Sequence, residues 1–338
     1  MSSVSLLDVA RYLPGDPVST DYYADRIDPD DRLNWNNPMF RPPRFRHLVG
    51  KDETSADMLE RAAADLAGRL GADAVRNTDI VLTNVLLPDL PHAGVGATLA
   101  HRIGARPQWI LDLHNAGCAS FIVMLRLARM MIETTPARTA LLCNVQNCAG
   151  PVFTQSEVVR KPPSAIPGDG ASVAFVAASD ECPVLDIEIV NRPEAAPDMQ
   201  IELDDGRKYW EPGSGQLNVK FTESSVAKII SRGNRLVPEV VSAMCTRIGV
   251  RTGDIDTLIT NQPNRMFLRN WAEALQVEDK RHLDTFDRYG NLFGAGAPIT
   301  LSHAIEDGAI PDGGLLVLAG FAHAGDLGAA AAVRWRAA

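Results

Sequence analysis

Short β-type runs alternate with amphipathic helices along this chain, and the alternation passes through the same order twice. That pattern points to an α/β architecture, because neither an all-β fold nor a helical bundle produces it. In the first half, Ser55–Leu70 carries Leu59, Ala62, Ala63, Leu66 and Leu70 on one helical stripe, with Ser55 as the expected N-cap. Strand-like runs follow at 79–84, 139–145 and 171–177, the last preceded by Gly168, Asp169 and Gly170. Their near-continuous apolar character fits strands buried on both faces. The texture changes near 179–181, which divides the chain into halves at 1–180 and 181–338. The second half opens with a strand at 184–190 and a polar, Pro/Gly-bearing stretch at 192–215. A helix at 226–248, a strand at 257–260, a glycine-rich turn at 289–297, a helix to about 307 and a strand at 314–319 complete it. The repeated order suggests a duplication.

Within this frame the sequence 112–118 (DLHNAGC) places a cysteine just after a strand (108–111) and just before a long apolar segment, 119–133. That segment is long enough for about four helical turns and apolar on nearly every face, as expected of a buried central helix. Cys118 at its start would meet unpaired N–H groups and the positive end of the helix dipole, which favour thiolate. Two readings are open: a nucleophile, or a buried structural cysteine, since free cysteine is among the most buried residue types.

The 338 residues are 46% hydrophobic and 22% charged with a net charge of −9, a soluble globular composition that disfavours nucleic acid as the main partner. Segment 41–47 (RPPRFRH) carries three arginines and a histidine, either a surface turn or a site for an anionic carrier. Segment 21–43, with Tyr22, Tyr23, Trp35 and four prolines, is expected to be irregular, as a lid or a wrapping loop. Residues 1–13 lack the charged and apolar regions of a signal peptide, and no apolar run approaches the ~18 residues of a membrane span, so a cytoplasmic location is expected. The five cysteines (118, 143, 148, 182, 245) form no CxxC, and neither a disulfide framework nor a metal site is expected.

Taken in order, the strings FRHLVGKDETSADMLERAA (45–63), LDLHNAGCASF (111–121), PGDGASVAF (167–175), ITNQPNRMF (259–267) and RYGNLFGAGAPITL (288–301) resemble the thiolase superfamily, and within it the β-ketoacyl-carrier-protein synthase III group. The resemblance implies a five-layered αβαβα thiolase fold of two similar halves, 1–180 carrying the nucleophile and 181–338 the remaining site residues. It also implies a homodimer, with Leu90 or a neighbour in 86–92 near the interface beside the pocket. The donor would be acyl-CoA or an acyl carrier protein, the acceptor a small molecule, with no permanently bound cofactor. Cys118 matches the family's acyl-accepting cysteine and Asn291 its asparagine.

Three departures stand out. The family's histidine lies in a His-Gln-Ala-Asn string, and the matching residues here are Asn261, Gln262, Pro263 and Asn264; the thirty residues from Asn261 to Asn291 keep the family's spacing. An amide carries no proton near neutral pH, so acid–base work has to move elsewhere. The second departure is at 320–326 (GFAHAGD), which occupies the place of the family's glycine-rich loop. There His323 is the candidate base, its backbone N–H the candidate oxyanion donor, and Asp326 the residue that orients the ring. The plainer reading is a histidine filling the space of a glycine. The turn before Cys118 is also one residue longer than the family's. Together these residues suggest an acyltransferase of the kind found among synthase III homologues in polyketide pathways, forming an ester with a malonyl or other short acyl unit. The alternatives are a condensing or priming ketosynthase and a silent subunit of a heterodimer.

Overall fold

The computed structural model describes residues 3–30, 35, 37–90, 92–208, 210–213, 215–220 and 223–337. Parts of four segments discussed above lie outside the described residues: 1–2 of the first thirteen, 31–34 and 36 of the irregular stretch, 91 of the expected interface, and 209 and 214 of the polar stretch 192–215. Two five-stranded sheets account for most of the core. The first contains β1 (Val4–Tyr12), β2 (Ile80–Val85), β3 (Trp109–Asp112), β4 (Thr139–Gln146) and β5 (Gly170–Ala178), in the order β1-β5-β4-β2-β3. The second contains β6 (Val184–Asn191), β9 (Thr257–Thr260), β10 (His282–Leu283), β11 (Leu315–Ala322) and β12 (Leu327–Arg334), in the order β6-β12-β11-β9-β10. Each sheet has two antiparallel pairings followed by two parallel ones, in matching positions. The first sheet uses only strands between 4 and 178, the second only strands between 184 and 334.

Helices complete five layers. Between the sheets lie α3 (Ser120–Thr134) and α6 (Gly296–Glu306), packed on the inner faces of both. On the outer face of the first sheet are α1 (Ser55–Leu70) and α2 (Gly96–Arg102); on that of the second are α4 (Glu223–Arg247) and α5 (Arg265–Leu275). This is the thiolase arrangement. No described helix is long and apolar enough to cross a membrane.

Several local expectations are corrected. The N-cap of α1 is Thr54, not Ser55: its hydroxyl accepts from the Asp57 N–H while the Asp57 carboxylate accepts from the Thr54 N–H, a reciprocal capping box. The Thr54 hydroxyl and then Arg102 hold the Asp57 carboxyl down to about 2, from 3.8. A depressed acid stabilises the fold above its unfolded pKa and loses that contribution as pH falls through its folded one. Asp57→Asn is therefore expected to flatten the stability curve between about pH 4 and pH 2, read by urea unfolding across that window. Helix α3 is not buried on every face, because Arg126, Met130 and Glu133 reach solvent. Strand β12 (LGAAAAVR) runs against the helical preference of alanine. Ala329 and Ala331 face the central layer, and Ala330 and Ala332 the outer one, all fully buried. Small side chains let the layers close on this strand, so packing overrides local propensity. The polar stretch after β6 contains a hairpin of its own, β7 (Gln200–Leu203) with β8 (Leu217–Lys220).

One edge of the first sheet is apolar and open. On β3, Trp109, Ile110 and Leu111 are each more than a third exposed, and Leu90 is 62% exposed.

Candidate active site

The lead-in to Cys118 is fixed from β2. Leu113 N–H donates to Thr83 O at 2.7 Å, and Asn84 Nδ2 donates to Leu113 O at 2.9 Å. The chain then passes through exposed His114 and Asn115 into a single 3₁₀ turn, Gly117–Ala119, before α3 begins. Cys118 thus sits just before the Ala119 N-cap, in the turn that leads into the helix, and the expectation of a thiolate is corrected by desolvation rather than by its position. It is partly exposed, whereas the other four cysteines are buried. Desolvation pushes its thiol up to about 12; Asn261 and its own backbone N–H act downward, and the charge on Asp326 acts upward. At neutral pH the resting group is a thiol, and a nearby base is needed to take its proton.

Gly117 has φ +45°, and a methyl group on it would lie 2.8 Å from His323 Nε2 and 3.1 Å from Ala322 Cβ. The imidazole edge therefore lies against the turn that carries Cys118. His323 follows β11 in the four-residue connection to β12, at φ +48°, a left-handed conformation that is unfavourable for a residue with a Cβ. Its Nδ1 is 3.2 Å from both Asp326 carboxylate oxygens. A carboxylate only accepts, so Nδ1 carries the proton and Nε2 of the neutral ring presents its lone pair on the Gly117 side. Burial raises the Asp326 carboxyl, but the hydrogen bond from His323, the charge of that ring when it is protonated, and local backbone N–H groups outweigh it and leave the group below its ordinary value.

Asn261 follows β9 and is 1% exposed. Its Oδ1 accepts from the Phe321 N–H and its Nδ2 donates to Phe321 O, both at 3.3 Å, so the amide is fastened to β11 two residues before His323. Asn291 is placed by the 165–169 segment: its N–H donates to Ile166 O at 2.9 Å and its carbonyl accepts from Gly168 N–H at 3.1 Å. Its Oδ1 caps the following turn by accepting from Phe293 N–H at 3.0 Å. That turn packs under the nucleophile, since a methyl group on Gly294 would lie 2.7 Å from Gly117 O and 2.5 Å from Ser120 Oγ. The structure thus gathers Cys118, Asn261, His323 and Asp326, with Asn291 at the base of the supporting turn.

Other contributors were not singled out as site residues by the sequence, although Asp169 lies in the 167–175 string. Asp169 is fully buried and accepts three backbone N–H groups, from Ala149 (2.7 Å), Gly150 (2.7 Å) and Val49 (2.9 Å), joining three segments behind Asn291. Gln146 Nε2 lies 3.0 Å from Cys148 Sγ, both buried. Ser120 accepts from Asn144 Nδ2 at 2.7 Å. The basic segment 41–47 is not simply a surface turn: Arg46 is fully buried, donates to Ala165 O and lies 3.9 Å over the Tyr23 ring. His282 is buried on β10, 2.9 Å from Thr260 Oγ1, and burial lowers its pKa to about 4.

Comparison with known proteins bears on this geometry. The family models for 3-oxoacyl-[acyl-carrier-protein] synthase III match residues 111–193 and, for its C-terminal part, 245–335. Beta-ketoacyl-[acyl-carrier-protein] synthase III 1 of Halalkalibacterium halodurans is 24% identical over 338 residues, 99% of each chain. The synthase III of Pseudomonas aeruginosa PAO1 superposes with a TM-score of 0.84 at 22% identity, covering 99% of this chain and 98% of that one. The priming β-ketosynthase of the R1128 polyketide pathway gives 0.85 at 21% identity, covering 100% and 98%. The matched segments contain the Cys118 turn, Asn261, Asn291 and the 320–326 loop, and on this ground the chain belongs to the β-ketoacyl-carrier-protein synthase III family of the thiolase superfamily.

Proposed function

We propose that this chain is an acyltransferase that loads an acyl group from acyl-CoA or an acyl carrier protein onto Cys118 and passes it to a hydroxyl, amine or thiol of a natural-product intermediate, without decarboxylative condensation. The observation that carries the reading is the exchange of roles around the cysteine: an amide, Asn261, stands where the family's histidine is expected, and an imidazole backed by a carboxylate lies against the Gly117 turn. In the loading step His323 Nε2 takes the thiol proton, Cys118 Sγ attacks the thioester carbonyl, and the donor thiol leaves with a proton. In transfer His323 takes the acceptor proton, the acceptor heteroatom bonds to the acyl carbon, and Cys118 leaves and is reprotonated. Asp326 holds the tautomer and stabilises the imidazolium. The backbone N–H groups of Cys118 and His323 would bind the developing oxyanion, with Asn261 and Asn291 as polar neighbours. In the family's decarboxylating pair an imidazole stands where this chain has the Asn261 amide, whose Nδ2 gives one of its two N–H groups to Phe321 O.

A homodimer formed along β3 is part of the proposal. An open apolar strand edge is a template for pairing with a second copy.

The test is to offer alcohols, amines and thiols to the acyl-loaded enzyme and identify the products by mass spectrometry. An ester, amide or new thioester is expected, and Asn261→His is expected to gain release of carbon dioxide from malonyl thioesters without faster transfer. A β-ketoacyl product from the wild-type enzyme would instead establish a condensing synthase.

A further inference from the structure

His323 and Gly325 both have left-handed backbone conformations, at φ +48° and +84°, and the peptide between Ala324 and Gly325 joins them. That peptide is held from behind by α4. Arg232 Nε donates to Ala324 O at 2.8 Å, and Arg232 Nη2 donates to Asp198 Oδ2 at 2.7 Å. The stem of the side chain runs beneath Gly325, where a methyl group would lie 3.0 Å from Arg232 Cβ. The far end of the connection is tied to the same helix less directly: Arg192 N–H donates to Asp326 O at 2.6 Å, and the Arg192 guanidinium pairs with Glu239 of α4 at 2.7 and 2.8 Å.

We propose that Arg232 is a positioning residue for the His323 base, a role that rests on the reading of His323 given above. Left-handed backbone at a residue with a Cβ persists only where its surroundings enforce it. The Ala324 carbonyl is the adjacent atom through which that can be done. Arg232 suits the task because its planar fork reaches two acceptors at once, Ala324 O and Asp198, so the guanidinium is itself held while it holds the turn. Without it the 323–326 connection would be free to rotate the imidazole away from Cys118.

The test needs no knowledge of the substrate. Alkylation of Cys118 by iodoacetamide is followed from pH 6 to 10 on the full-length protein, with mass mapping to separate it from the four buried cysteines. Wild type, His323→Ala, Arg232→Ala and Arg232→Lys are compared, with circular dichroism and thermal unfolding to verify folding. Arg232→Ala is expected to slow alkylation near pH 7 by about tenfold and to displace the pH profile toward that of His323→Ala, as a misplaced base would. A lysine reaches one of the two acceptors but not both, so Arg232→Lys is expected to move the profile the same way by less, and it carries the test if the alanine variant does not fold. A purely structural role would lower the unfolding temperature and leave the profile of the folded protein unchanged. If His323→Ala itself alkylates like wild type, the base assignment fails; if His323→Ala is slow while the folded Arg232 variants match wild type, only the positioning role is overturned.

Discussion

His323→Ala is expected to slow acyl transfer from Cys118 by about 10²- to 10⁴-fold, the range for loss of a positioned general base. The expectation follows from the resting state of the cysteine. Desolvation holds the Cys118 thiol near 12, so little thiolate exists at neutral pH without help. With Nδ1 turned to Asp326, His323 Nε2 is the ring nitrogen that faces the turn carrying the thiol. Alanine keeps the Cβ and the left-handed backbone, so the variant isolates the imidazole. The comparison is single-turnover loading and transfer, by intact mass, at equal thermal stability. A rate within threefold of wild type would remove His323 from the mechanism.

A second large effect concerns stability. Asp169→Ala would leave three backbone N–H donors without their partner, each worth about 1 kcal/mol or more when buried, for a total loss of about 3 kcal/mol. Asp169→Asn keeps one acceptor oxygen and is expected to lose less. Because this carboxylate ties Val49, Ala149 and Gly150 to the strand that follows the Asn291 partner segment, the damage should also appear as slower acyl loading. Urea unfolding of the two variants measures the first effect; an alanine variant within about 0.5 kcal/mol of wild type would show that water satisfies those donors instead.

Much of the fold could be read from the residues. The runs at 139–145, 171–177 and 257–260 become strands β4, β5 and β9: burial on both faces removes the alternation, and shortness between turn residues marks them as strands. The alanine run of β12 could not be read, since its strand state depends on two layers closing on it from either side. At the candidate site, motif order singled out Cys118, Asn261 and Asn291, and a histidine in the place of a glycine-rich loop singled out His323; their catalytic roles belong to the proposal. The ionisation of Cys118 was misjudged because helix position suggests thiolate while the depth of the thiol opposes it, and depth is a tertiary property. Arg232 and Asp169 were missed as supports for the same reason: each acts on backbone groups far away in sequence, a relation with no local pattern.

The central claim is that Cys118 accepts an acyl unit and keeps it intact for transfer. The most direct measurement is the intact mass of wild type and Cys118→Ala after incubation with malonyl-CoA and with malonyl carrier protein. The account predicts an intact malonyl adduct that requires Cys118 and forms without release of carbon dioxide. An acetyl adduct accompanied by carbon dioxide would contradict it and make the chain a decarboxylating, condensing member of its family.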